Sequence, residues 1–109
     1  MPLFDLIHRG MGADAHTASL FPGSPLINDH TGIAAHVWVE HLKMDRVTLL
    51  PGVLEAAKRT VLQVSGSGKA DALRHVLTAE KDPLKYACQI ASRSSNATWF
   101  LDEAAAVKL

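Results

Sequence analysis

Short apolar runs alternate with amphipathic stretches along the chain, and glycine, proline, asparagine and serine clusters mark the joins, so strand and helix are expected in turn. Leu3-Phe4-Asp5-Leu6-Ile7 opens as a strand. Carried on over 3–9 it would be buried on both faces of a parallel sheet, were it not for His8-Arg9. The strand is therefore expected to end by Ile7 with this pair in solvent, the other reading being a locally damaged register. Gly10-Met11-Gly12 then makes a tight turn, and a helix is expected to open at about Asp14 to His16. The stretch from Pro22 to Gly32 has loop chemistry.

Ile33 to Val39 returns as a strand, and Arg46-Val47-Thr48-Leu49-Leu50 follows as another. Pro51 can start a helix that runs through Ala57. Thr60 to Ser65 is the next strand, and Gly66-Ser67-Gly68-Lys69 leads into a helix ending near Ala79. Ala70, Leu73, Val76 and Leu77 form its apolar stripe. The tail offers Thr98 to Leu101 as a last strand, with Asp102 as N-cap of a terminal helix over Glu103 to Lys108. This order predicts a single α/β domain over residues 1–109, an open, mostly parallel sheet with flanking helices. Trp38 and Trp99 are read as core anchors.

A length of 109 residues suits one small domain that buries about two-thirds of its unfolded surface. With 48% hydrophobic and 20% charged residues, the composition is that of a globular chain and not a disordered one. Eleven basic and eleven acidic residues cancel, so no broad field draws nucleic acid or a membrane surface, and any phosphate site must be local. The single cysteine, Cys88, cannot form an internal disulfide and fits a reducing compartment. There is no apolar run of membrane-spanning length and no signal-like N-terminus, which makes the cytoplasm the expected location.

Glycines at a turn leading to a helix start suit a phosphate or an oxyanion, which places Gly10 and Gly12 among the candidate ligand contacts, with His16 at the mouth. Asp14 is read first as the helix cap and second as the group that orients His16; the two roles are compatible. Lys69, behind Gly66 and Gly68, suits phosphate by charge and position. A Walker A loop is rejected, because Gln63 stands at its first glycine and Ala70 follows the lysine. Arg46 and Arg74 are secondary phosphate candidates whose simpler reading is solvated surface. The six histidines form no helical pair of the zinc type, so no metal and no cofactor is expected.

The segment His16-Thr17-Ala18-Ser19-Leu20-Phe21-Pro22, behind a glycine turn, resembles the signature of the 6-phosphogluconolactonases. Val37 to Ala57 resembles the family's Trp-Val, Arg-Ile-Thr-Leu and Pro-Val-Leu-Asn-Ala-Ala segments, with Gly52 and Glu55 as substitutions. The resemblance covers nearly the whole chain but only the C-terminal half of the family, whose fold is shared with sugar-phosphate isomerases and deaminases. It implies hydrolysis of 6-phospho-D-glucono-1,5-lactone to 6-phosphogluconate in the pentose phosphate pathway, with His16 as general base and Lys69 on the phosphate. No Ser-His-Asp triad is legible in the residues, and hydrolysis of an activated lactone needs no metal.

Two positions depart from the family: Ala15 replaces a glycine, and His8-Arg9 stands where related lactonases carry apolar residues. If position 15 has positive φ, the alanine costs roughly 1–2 kcal/mol. The family's upstream Ser-Gly-Gly loop and Asp-Glu-Arg stretch are not in this sequence, which begins on Met1 and so reads as a frame of its own. A half-sheet exposes an edge, so the chain is expected to form a homo-oligomer, recruit a complementary N-terminal fragment or aggregate. Two rivals stay open, a non-catalytic remnant or assembly subunit and an aminosugar-6-phosphate isomerase or deaminase relative. The Thr-Ala-Ser-Leu-Phe-Pro continuation after His16 favours the lactonase over the latter.

Overall fold

The computed structural model describes all residues 1–109. Three strands, β1 (Ile7–Arg9), β4 (Thr60–Val64) and β5 (Ala97–Leu101), form a parallel sheet in the order β1-β4-β5. Ile7 lies opposite Thr60 and Arg9 opposite Leu62, while Thr60 to Val64 pair with Ala97 to Leu101. The register is regular throughout β1, so His8-Arg9 neither ends the strand nor damages it. β1 begins where the expected strand was to stop, and Leu3, Phe4 and Leu6 lie exposed before it.

The other two strands, β2 (Ala34–Val39) and β3 (Met44–Leu49), form an antiparallel hairpin apart from the parallel sheet. The physical reason is connection length. Residues 40–43 are too few for the crossover of a dozen or more residues that parallel pairing requires. A 3-10 turn, Glu40–Leu42, and Lys43 at φ 52° reverse the chain instead. The outer hairpin is solvated, with Val47 75% exposed. Trp38 is half exposed, its indole N–H donating to Glu40 Oε2 at 2.6 Å, so it is not the core anchor expected. Trp99 does pack on the core and donates to the Ser92 carbonyl at 2.9 Å.

Two helices flank these strands, α1 (Pro51–Ala56) and α2 (Ala70–Thr78), both close to their expected spans. From α2, Leu73 and Val76 of the expected stripe pack with Ala72, and with Leu77 at the margin, against Leu62 and Val64 of β4, Met11, Ala15 and Cys88, while Ala70 is buried at the start of the helix. Leu20, Ile27, Leu54, Ala87 and Ile90 make a second, smaller core. The terminal helix expected over Glu103 to Lys108 does not form; hydrogen-bonded turns stand there. Asp102 still caps, accepting from Ala105 N–H at 2.8 Å, and it also accepts from Gly66 N–H at 3.1 Å, tying the tail to the turn before α2.

Candidate functional site

The loop from Gly10 to Leu20 is held by its own hydrogen bonds, not by a helix. Gly12 N–H donates to the His16 carbonyl at 3.0 Å and Ala15 N–H to the Gly12 carbonyl at 2.9 Å. Ala15 at φ 68° and Ala18 at φ 52° are left-handed, a conformation that a right-handed helix cannot contain. The helix expected at Asp14 to His16 is therefore absent, and with it the dipole and free N–H groups that were to receive an anion. The N–H groups of Gly12, Ala15 and His16 are all spent within the loop.

One further bond closes this loop on itself and two fix it to the rest of the chain. Thr17 hydroxyl donates to the Gly10 carbonyl at 3.0 Å, Ser19 N–H donates to Thr48 Oγ1 of β3 at 3.0 Å, and Cys88 N–H donates to the Ala15 carbonyl at 2.9 Å. Thr17, Ser19 and Leu20 are buried, so much of the signature segment is structural: it positions His16.

His16 is held on two sides. Its Nδ1 lies 2.5 Å from Asp14 Oδ1, and its ring lies 4.3 Å from the Phe21 ring, centroid to centroid. Asp14 Oδ1 also accepts the His16 backbone N–H at 3.0 Å. Burial works to raise the Asp14 carboxyl pKa, but the hydrogen bonds from the His16 backbone and ring together outweigh it and hold the value below the usual range. Asp14 is thus ionised at neutral pH and can accept Nδ1–H, the arrangement in which Nε2 is the ring nitrogen with a free lone pair. With no helix to cap, the N-cap reading of Asp14 falls, and its carboxylate binds the backbone and ring of His16 instead.

His16, Gly10, Gly12 and Lys69 line one open cleft of about 450 Å³, together with Arg9, Thr17, Leu49 and Leu54. Four candidates separated by up to 59 residues in sequence therefore meet, with Asp14 behind His16. Lys69, half-buried at the start of α2, donates to the Met11 carbonyl; an ammonium has three donors, so it keeps two for a ligand. Arg46 and Arg74 are exposed and line no part of this cleft. His8 lines the cleft too, so the pair expected in solvent divides, His8 being exposed and Arg9 buried. The signal was there, since a regular parallel strand of three residues cannot send both of two neighbours to solvent.

A sequence model of the family described as glucosamine-6-phosphate isomerases/6-phosphogluconolactonase matches residues 1–99. The chain belongs to this family. Among its relatives, the 6-phosphogluconolactonase of Rattus norvegicus is 40% identical over 107 residues, covering 97% of this chain and 41% of the relative. That of Haemophilus influenzae is 37% identical, covering 94% and 44%. Among solved structures, the devB protein crystal structure has a TM-score of 0.85 at 39% identity, covering 99% of this chain and 45% of that one. The 6-phosphogluconolactonase from Trypanosoma brucei has the same TM-score at 27% identity. This chain thus spans less than half the length of the curated relatives it matches.

Ala15 meets the condition for strain, since its φ is 68°. A left-handed alanine costs roughly 1–2 kcal/mol. Against this, glycine would forfeit about 0.5–1 kcal/mol of backbone entropy and about 0.8 kcal/mol for the buried methyl, which is 2% exposed in the main core. The effects nearly cancel. Ala15→Gly is expected to change unfolding free energy by less than about 1 kcal/mol in chemical denaturation; a gain above about 2 kcal/mol would show that the methyl packs poorly.

Proposed function

We propose that this chain carries the catalytic histidine half of a 6-phosphogluconolactonase and hydrolyses 6-phospho-D-glucono-1,5-lactone to 6-phosphogluconate, in the cytoplasm and within the oxidative pentose phosphate route. The observation that carries the reading is the Asp14–His16 pair at 2.5 Å, opening on the cleft that Lys69 also lines. The likeness to lactonases at 37–40% identity supports the substrate class.

Asp14 holds the Nδ1–H tautomer, and Nε2 takes a proton from water as that water attacks the lactone carbonyl carbon. The ring oxygen then leaves, and the imidazolium returns its proton to it. The carboxylate stabilises the imidazolium between these steps, and Lys69 takes the substrate phosphate. Gly10 and Gly12 allow the sugar to approach the main chain.

Association with a second copy or a complementary N-terminal fragment is part of this proposal. β1 and β5 are both sheet edges, and Leu3, Phe4, Leu6 and Phe100 are exposed, each by 42% or more, which supports pairing with a further chain. The test is hydrolysis of freshly generated lactone by the purified chain, measured against spontaneous opening, with its mass in solution recorded in the same buffer. Acceleration is the expected result. A folded chain that gives none would favour a non-catalytic subunit and sink the catalytic reading.

A further inference from the structure

Arg9 is 7% exposed on β1, and its guanidinium has one acceptor, the Ile90 carbonyl reached from Nη2. Nε and Nη1 are buried without any partner. None of the six ion pairs of the chain includes Arg9. Burial pulls its pKa down from an ordinary value so high that the group stays charged at neutral pH. The ionisable group facing it is the Cys88 thiol, which burial pushes up to about 11, so the thiol is neutral and supplies no counter-charge. A cation taken out of water without an anion is among the costliest arrangements a fold can hold. Arg9 also lines the cleft of His16 and Lys69.

We propose that Arg9 is an anion-binding residue of this cleft: on binding, its side chain turns from the Ile90 carbonyl into the opening and, with Lys69, takes the phosphate group of the ligand. The inference deepens the sugar-phosphate reading above and rests on it for the identity of the ligand. Charge selects phosphate over a lone carboxylate, because two cations in one cleft are balanced by a dianion and left half-compensated by a monoanion. Phosphate would supply the acceptors that Nε and Nη1 lack, so binding and relief of the buried charge are one event.

The experiment is thermal unfolding of the full 109-residue chain and of Arg9→Leu, titrated with inorganic phosphate, 6-phosphogluconate and gluconate, alongside lactone kinetics. The wild-type Tm is expected to rise with both phosphate-bearing ligands and not with gluconate. Arg9→Leu should match or exceed the wild-type Tm without ligand, because an apolar side chain replaces an uncompensated charge. It should bind 6-phosphogluconate at least tenfold more weakly and raise KM for the lactone at least tenfold, with a smaller change in kcat.

A retained phosphate-dependent rise in Arg9→Leu, or an unchanged KM, overturns the proposal. So does a wild-type chain that no phosphate stabilises. An unfolded or markedly less stable Arg9→Leu would make Arg9 a structural cation and overturn it equally. Arg9-dependent phosphate binding without lactone hydrolysis would sink the hydrolase reading alone, whereas hydrolysis with a KM indifferent to Arg9→Leu would sink this inference alone.

Discussion

His16→Ala is expected to lower the enzymatic hydrolysis of 6-phosphogluconolactone by about 10²–10⁴-fold, the usual contribution of a positioned general base. His16 is the one imidazole of the cleft paired with a carboxylate, its Nδ1 lying 2.5 Å from Asp14 Oδ1, whereas His8, which also lines the cleft, has its Nε2 3.2 Å from Gln63 Oε1. Lys69 Nζ donates to the Met11 carbonyl, and Thr17 hydroxyl is occupied with the Gly10 carbonyl. Stability should change little, because His16 is only half-buried and the loop is closed by backbone bonds that alanine keeps. The lowered Asp14 carboxyl contributes stability above the ordinary carboxylate range that is lost as pH falls through its lower folded value. The tether is therefore intact at neutral pH, where the assay is run. Initial rates of the wild type and the variant at equal concentration, corrected for spontaneous opening, decide the matter. A variant within threefold of wild type would remove His16 from the chemistry.

Gly12→Ala is expected to cost about 10²-fold in the same assay without replacing a single reacting group. A Cβ at position 12 would stand 2.1 Å from His16 Cε1 and Nδ1 and 2.8 Å from Asp14 Oδ1. No such contacts are sterically possible, so the ring must leave its place between Asp14 and Phe21. A displacement of about 1 Å at a catalytic group is enough for a loss of that size. The fold should survive, because what must move is the end of a side chain beside an open cleft and not backbone. Near-native circular dichroism and a Tm within a few degrees of wild type, with activity reduced as in His16→Ala, is the expected pattern. Full activity would mean that the ring works from another position.

The two substitutions probe different levels of the same site. The chemical groups were legible in the residues: His16, Asp14 and Lys69, with Gly10 and Gly12, stand within segments whose composition already pointed to a turn and an anion site. Their assembly was legible only through the family resemblance, because 53 residues separate His16 from Lys69 and nothing local brings them to one cleft. The device that holds the loop was not legible. A helix at Asp14 to His16 accounts for the same glycines and the same cap, and only the left-handed Ala15 and Ala18 exclude it. The reason for Gly12 changes accordingly. It is required for the space its missing Cβ leaves to the His16 ring.

By itself the sequence determined what depends on neighbours a few positions away: the β4 and β5 runs, the α2 stripe, the proline start of α1, and the identity of the groups that can do chemistry. These follow from side-chain period and backbone preference, which act within a turn or a strand. Tertiary structure alone decided the rest. It set β2 against β3 and left Trp38 in solvent, and it turned the tail back on Gly66 through Asp102. It also buried Arg9 against a carbonyl 81 positions away. Such outcomes depend on which distant surfaces compete for the same apolar contacts and hydrogen-bond partners, and that competition is settled only when the whole chain packs.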